Sequence, residues 1–366
     1  MEPAIKSEQG FRESLIEAGK AFVTYSLPDT AEQLIMAGNV KLVENNTTEQ
    51  LITGKPGFLM AGFDRHTPTL WLEAEYFSRN PAIRKFIKTL KPGNPITLTD
   101  APVNEVSEST YLQQVSTITE WLRSGKAGKV VLSRLIETPF ENPLLAPTLF
   151  DLLCAVNPGA FVYLAFFPEH GLWIGATPEC LLSYQHQKIS TMALAGTRKA
   201  GTRGPWSKKD ANEHAYVADY ILEKLKHTGC TSILRSATYT SNAGRAAHLR
   251  TDFTADCEAT KAAGLINELH PTPAVCGWPT AAALEIIKQV EKHDRAYYTG
   301  YLGPTGNGAA RLFVNLRCTR IINRRALVYV GGGLTADSIP QTEWNETVLK
   351  SSTMLSAIEK MRNLAD

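Results

Sequence analysis

The chain has 366 residues, 43% of them hydrophobic and 20% charged, with a formal net charge of +2. That balance supplies material for a large buried core and excludes a disordered or low-complexity chain. No Lys/Arg block marks a nucleic-acid surface, and no uncharged apolar run approaches the ~18 residues a membrane span needs. The stretch from Met1 to Ala21 carries Glu2, Glu8, Arg12, Glu13 and Glu17, and has no apolar signal-peptide core. Six cysteines stand at 154, 180, 230, 257, 276 and 318, the nearest two 19 residues apart. That spacing excludes a C-x-x-C pair and fits reduced thiols, so a cytoplasmic protein without nucleic-acid or membrane partners is expected.

In chain order, short strand-like runs come first: Ala21 to Tyr25, Gly57 to Phe63 and Thr69 to Leu72. The Pro/Gly-rich passage from Lys91 to Val103 reads as a connection. An amphipathic helix follows from Glu108 to Ser124, with Tyr111, Val115, Ile118 and Leu122 on one face and Gly125 and Gly128 beyond its end. Lys129 to Ile136 reads as a strand, and Phe161 to Phe167 with Leu172 to Gly175 as a hairpin across Pro168 to Gly171. Further strands fit Lys188 to Leu194, Leu312 to Ile322 and Ala326 to Val330. Helices fit Asp210 to His227, Cys257 to Leu269, Ala281 to Lys292 and Thr342 to Asn363. Strand runs with helices inserted between them predict α+β layering rather than a βαβ repeat.

Two helices open on paired acids. Glu343, Glu346 and Lys350 share one face of the last helix, after a loop from Gly331-Gly332-Gly333, where a backbone without Cβ atoms admits a ligand. The plain alternative is a solvated, ion-paired face. Asp210 and Glu213 form the second pair, although Ser207 to Asp210 is also a capping box. Two such acidic turns meeting around one hard cation would suit Mg²⁺.

Glu179 and Lys129 are the other candidates. Glu179 lies just past a strand and before Cys180-Leu181-Leu182, where partial desolvation would raise its pKa and keep it protonated. Lys129 opens a strand, and turned inward it would lose its proton more easily and act as a base. Taken singly, each is an ordinary strand-end charge. Together they make an acid and a base separated by environment.

Ten short motifs occur in order: Lys129-Val130-Val131-Leu132-Ser133-Arg134, Gly175-Ala176-Thr177-Pro178-Glu179, Leu194-Ala195-Gly196-Thr197, Asp210-x-x-Glu213-His214, Leu269-His270-Pro271-Thr272-Pro273-Ala274, Asp294-Arg295, Gly306-Asn307-Gly308, Arg317-Cys318, Gly331-Gly332-Gly333 and Glu343-Trp344-Asn345-Glu346-Thr347. This series resembles the chorismate-utilising enzymes: isochorismate, salicylate, anthranilate and aminodeoxychorismate synthases. The resemblance covers Lys129 to Met361. Lys129 stands where aminating members usually carry Gln, and the stretch from His270 to Pro279 is similar to isochorismate synthases.

The resemblance implies a single layered α/β/β/α domain over residues 1–366, with two large, mainly antiparallel sheets. Residues 1–105 would be a divergent part and 106–366 the motif-bearing catalytic part. It implies Mg²⁺-dependent conversion of chorismate to isochorismate, an isomerase step that feeds menaquinone or siderophore synthesis. Lys129 would activate water for attack at C2, and Glu179 would protonate the leaving C4 hydroxyl. Glu213 and Glu346 match direct metal ligands; Asp210 and Glu343 match outer carboxylates. Arg317 and Tyr298 match residues holding the enolpyruvyl carboxylate, Gly331 would offer an N–H, and Lys350 would lie near the metal-bound carboxylate. Gly196 and Thr197 match the loop beside the C4 hydroxyl, and Ala274 would line the ring. A monomer with no glutamine amidotransferase subunit is expected. The alternatives are a salicylate synthase, which would go on to eliminate pyruvate, a catalytically silent chorismate-binding relative, and an unrelated carboxylate-rich metal hydrolase.

Overall fold

A computed structural model describes residues 8–43, 48–77, 105–243 and 246–365. The connection expected from Lys91 to Val103 lies outside the described residues. The strands are β1 Phe22–Ser26, β2 Gln33–Leu42, β3 Gly57–Ala61, β4 Leu70–Phe77, β5 Lys129–Pro139, β6 Phe161–Phe167, β7 Gly171–Thr177, β8 Cys180–Gln185, β9 Lys188–Lys199, β10 Thr231–Arg235, β11 Tyr239–Ala243, β12 Ala246–Asp256, β13 Gly277–Trp278, β14 Tyr301–Gly306, β15 Ala309–Val314, β16 Cys318–Ile322 and β17 Arg325–Leu334. The helices are α1 Glu8–Glu17, α2 Thr48–Thr53, α3 Glu108–Arg123, α4 Ala146–Val156, α5 Lys208–His227, α6 Ala259–Leu269, α7 Thr280–Val290 and α8 Pro340–Ala365.

Every strand pairing is antiparallel, and the pairings run as one ladder from β13 through β5, β17, β16, β7, β6 and β1 to β2. From β2 the ladder crosses to β4 and continues through β3, β14, β15, β8 and β9 to β12. The two expected sheets are therefore two halves of one continuous ladder, joined at β2–β4. The halves pack face to face through aromatic rings. Phe161 of β6 stacks on Phe313 of β15 with centroids 4.1 Å apart, and Tyr25 of β1 meets Phe58 of β3 at 5.8 Å. Outside the first half, Leu149, Phe150, Met354 and Ile358 of α4 and α8 cover Leu164, Phe166 and Val328. Outside the second, Val217, Ile221, Leu265 and Ile266 of α5 and α6 cover Ala193, Phe253 and Leu312. The layering is α/β/β/α.

The helix starts follow local chemistry. Ser107 Oγ accepts from the Thr110 N–H at 3.2 Å to begin α3, and Ser207 Oγ accepts from the Asp210 N–H at 3.0 Å to begin α5. Two sequence expectations need correction. The single strand from Leu312 to Ile322 is two strands, because Arg317 adopts φ +47° and breaks the run. The three glycines at 331–333 lie inside β17 rather than past its end. On α8, Ile358 is buried, whereas Val348 is half exposed and contributes little to the apolar face.

Beyond β13, the free edge of β5 is held by an ion pair in place of a strand. Arg295 donates to the Val131 carbonyl at 2.7 Å, to the Val275 carbonyl at 2.9 Å and to Glu291 at 2.6 and 2.8 Å. Glu291 in turn accepts from the Ser133 N–H at 2.6 Å. Both side chains are 3% exposed. Removing one partner strands the other in a water-poor interior. Arg295→Met is therefore expected to destabilise the fold by roughly 3–5 kcal/mol, measured as the shift in a urea or guanidinium unfolding midpoint. A loss under ~1 kcal/mol would mean that the pair is no more than an exposed one in effect.

Candidate active site

A cleft of ≈ 700 Å³ opens at one end of the layered core. Nine of the residues singled out in the sequence line it: Glu179, Gly196, Thr197, Glu213, Ala274, Tyr298, Arg317, Gly331 and Lys350. They come from eight separate stretches of chain. Lys129, Glu343, Glu346 and Asp210 do not line the open space, but the first three stand directly behind it.

The wall between them and the cleft is β17. A Cβ at Gly331 would lie 3.0 Å from the Tyr298 hydroxyl, one at Gly332 would lie 3.5 Å from Glu346 Oε1 and 3.7 Å from Glu343 Oε2, and one at Gly333 would overlap the Glu213 carboxylate. That same Gly333 Cβ would sit 2.9 Å from Lys129 Cε. Bare backbone at Gly333 is what lets Glu213 of α5 press against the sheet, while at Gly332 the acids of α8 lie at ordinary contact distance. Gly277 does comparable work on the other edge of β5: at φ +138° it packs on the Lys129 carbonyl, where any Cβ would overlap.

Charges fill this region in alternation. Lys129, fully buried, brings its Nζ to 3.1 Å from Glu213 Oε1, off-line for a hydrogen bond. Lys209 Nζ lies 3.1 Å from Glu343 Oε1 and 3.6 Å from Glu213 Oε2. Lys350 Nζ donates to Glu346 Oε1 at 2.7 Å and to the Gly331 carbonyl at 3.1 Å. Burial lowers the Lys129 pKa, and Glu213 offsets this only in part. Burial also acts against the Glu213 carboxylate, but Lys129, Lys209 and Lys350 outweigh it and hold that group below its usual range. Burial, with Glu346 close by, raises Glu343 to about 7 despite Lys209. Glu179, 4% exposed in the turn between β7 and β8, is pushed up to about 8 by burial, against the pull of Lys129 and Lys350. It is the protonated acid expected from its setting.

Asp210 is engaged elsewhere. Its carboxylate accepts from the Ser207 hydroxyl at 2.6 Å and its N–H donates to Ser207 Oγ at 3.0 Å, which is the Ser207 half of the capping box predicted at this position. Around the glycine strand, three buried polar atoms take no hydrogen bond: Lys129 Nζ, Glu343 Oε2 and the Tyr111 hydroxyl. Buried orphans gathered at one place, two of them oxygens beside carboxylates, suit a hard cation and its water. Among the described residues, however, no three carboxylate, histidine or cysteine side chains close on one point as a finished metal shell. Ammonium groups stand between the acids instead.

His248 of β12 is a cleft residue that the sequence reading missed. Its Nε2 accepts from an Arg317 N–H at 2.9 Å, which leaves the proton on Nδ1, 2.9 Å from the Gly196 carbonyl and 3.2 Å from Thr197 Oγ1. Burial, then Arg317 and Lys350, lower its pKa to about 3, so it is neutral. Burial also brings Arg317 down to about 10, which leaves it a cation at neutral pH. The arrangement gives a cleft with cationic Arg317 and Lys350 on the walls, a neutral acid on one side and a buried amine on the other. It can bind a small polyanion and move protons at two points.

A family model described as chorismate binding enzyme matches residues 71–359. The chain is 30% identical over 319 residues to the vibriobactin-specific isochorismate synthase of Vibrio cholerae serotype O1, covering 82% of this chain and 78% of that one. It is 31% identical over 263 residues to isochorismate synthase EntC of Escherichia coli K12, covering 68% and 67% respectively. Its fold is similar to the solved structure of MenF, the menaquinone-specific isochorismate synthase of Escherichia coli, with a TM-score of 0.77, 18% identity and coverage of 98% and 92%. No helix of the described residues is long and apolar enough to cross a membrane.

The Glu179 environment has a consequence for stability. The unfolded chain ionises this group near 4.5 and the folded protein only near 8, so the folded state holds the extra proton in between. Its contribution to stability is complete below pH 4.5 and is lost as pH rises towards 8. Glu179→Gln removes that loss. The variant is expected to be more stable than the parent by roughly 1–3 kcal/mol at pH 8, with the difference vanishing in acid. Denaturation curves at several pH values measure it, and a pH-independent difference would count against a neutral Glu179.

Proposed function

The chain belongs to the family of chorismate-binding enzymes, and from that premise we propose that it is an isochorismate synthase. The observation that carries the reading is a protonated carboxylic acid lining a cleft walled by cationic Arg317 and Lys350, with a buried amine directly behind the cleft's glycine strand. The enzyme is an isomerase. It exchanges a hydroxyl at C4 of chorismate for one at C2, with the ring double bonds shifting between them.

Lys129, made a better base by burial, takes a proton from water as its oxygen bonds to C2. Glu179 gives its proton to the C4 hydroxyl, which leaves as water. Each such proton transfer is typically worth roughly 10²–10⁴-fold in rate. Arg317, oriented by neutral His248, and Tyr298 take the enolpyruvyl carboxylate; the guanidinium offers two parallel donors. Gly196 and Thr197 stand beside C4, Ala274 lines the ring, and the Gly331 backbone and Lys350 face the ring carboxylate. A Mg²⁺ ion held by Glu213 and Glu346, with Glu343 and Asp210 further out, would neutralise and orient that carboxylate when bound. Asp210 holds the Ser207 hydroxyl with Oδ2, which leaves Oδ1, beside Gly196, for this role. The protein works as one catalytic domain, as a monomer and without a glutamine amidotransferase subunit, in the cytoplasm. Its product feeds menaquinone or siderophore synthesis.

Incubation with chorismate and Mg²⁺, followed by chromatography, is expected to yield isochorismate. EDTA should abolish the conversion, and Lys129→Ala should lower its rate by at least ~10²-fold. Salicylate and pyruvate as main products would instead assign the salicylate synthase reaction, and an aminated ring formed from ammonia would contradict the role given to Lys129.

A further inference from the structure

The ammonium groups among the acids are not equivalent. Lys129 is fully buried on β5 and confined behind Gly333 and Glu213. Lys350 is tied to the Gly331 carbonyl as well as to Glu346. Lys209, on the first turn of α5, has a side chain 17% exposed, and its contacts with the cluster are ion pairs alone: Glu343 of α8 at 3.1 Å and Glu213 of its own helix at 3.6 Å. Glu213, Glu343 and Glu346 are thus matched one for one by Lys129, Lys209 and Lys350, without any added ion. Of the three cations, only Lys209 pairs with acids of two different helices; it borders solvent, as does Lys350 at 22% exposed, but unlike Lys350 it has no backbone carbonyl to hold it. A lysine on a flexible four-carbon stem can swing out from such a place, whereas a divalent ion arriving beside it would repel it at contact distance.

We propose that Lys209 is the resident counter-ion of the cation site: its ammonium bridges Glu213 and Glu343 in the metal-free protein and withdraws when a divalent ion binds. This rests on the metal role given to those carboxylates above. In that arrangement Lys209 keeps α5 and α8 together before loading and sets the metal affinity, because the ion must displace it. The spread of the acids, which form no finished shell among the described residues, follows from the ammonium standing between them. The second oxygen of Glu343, Oε2, buried and without a hydrogen bond, is the atom an incoming cation would meet.

The test compares the full-length parent with Lys209→Met, which keeps the length of the stem and removes the charge. Mn²⁺ binding is titrated without substrate, by the electron paramagnetic resonance signal of free Mn²⁺. Lys209→Met is expected to bind Mn²⁺ about tenfold more tightly, within the usual range for coupled sites. Its metal-free melting temperature should fall below that of the parent, with the gap closing at saturating Mn²⁺. Equal or weaker binding by the variant overturns the proposal and leaves the metal role of the acids standing. Failure of the parent to bind Mn²⁺, alone or with chorismate, removes both. If the variant does not fold, a crystal structure of the parent with Mn²⁺ decides: Lys209 withdrawn from Glu343 supports the proposal, and Lys209 still paired with it overturns it.

Discussion

Close approach of charged side chains to bare sheet backbone is the constraint on which the site depends. Three consecutive positions of β17 lack a Cβ, and each omission makes room for a different group: the Tyr298 hydroxyl, the Glu343 and Glu346 carboxylates, and Glu213 with Lys129. A methyl group at Gly333 would overlap the Glu213 carboxylate of α5, one at Gly331 would crowd the Leu132 carbonyl and the Tyr298 hydroxyl, and one at Gly332 would only touch the acids of α8. The carboxylates so admitted are poorly hydrated, and a buried charge without a partner is too costly to keep. Hence the ammoniums interleave with them. The lysines are a condition for having three acids there at all, before any substrate or ion is considered.

The same region shows how the fold positions groups from distant parts of the chain. Strand β5 carries Lys129 at one end and is gripped along its edge by Arg295 and Glu291, while Arg295 also holds the Val275 carbonyl beside Ala274. Three residues past Arg295 comes Tyr298. One buried ion pair therefore fixes Lys129, Ala274 and Tyr298 relative to one another. A strand in its place could have satisfied β5, but would have filled the space in which those groups meet.

Much of this was legible in the sequence where the local pattern is strong. Tyr111, Val115, Ile118 and Leu122 mark α3 within one residue of its end, and the apolar hairpin of β6 and β7 is plain. The strands β10 to β12 were not read, because Thr231–Arg235 is largely exposed on both faces and shows no alternation. With β12 unread, His248 could not be placed opposite Gly196, and its role towards Arg317 went unseen. The break at Arg317 was hidden by apolar residues on both sides of it. Lys209 was passed over because Lys208-Lys209-Asp210 looks like the solvated start of any helix. The meeting of residues 129, 179, 213 and 346 is wholly non-local. Spacing suggested the two acidic turns, but only the family resemblance brought them together.

Burial acts on Lys129 and Glu179 in opposite senses for one reason. Removing water disfavours charge, whatever its sign, so an amine loses its proton more readily and a carboxyl keeps its own. Both shifts favour a free base opposite a protonated acid. A single property of the site thus shifts both groups in the senses that the proposed proton transfers need, without a separate device for each. Opposing it, Glu213 stabilises the Lys129 ammonium, while Lys129 and Lys350 draw Glu179 towards ionisation. Burial outweighs these charges at both positions. The depth at which residues 129 and 179 sit therefore matters more to the chemistry than the identity of their charged neighbours.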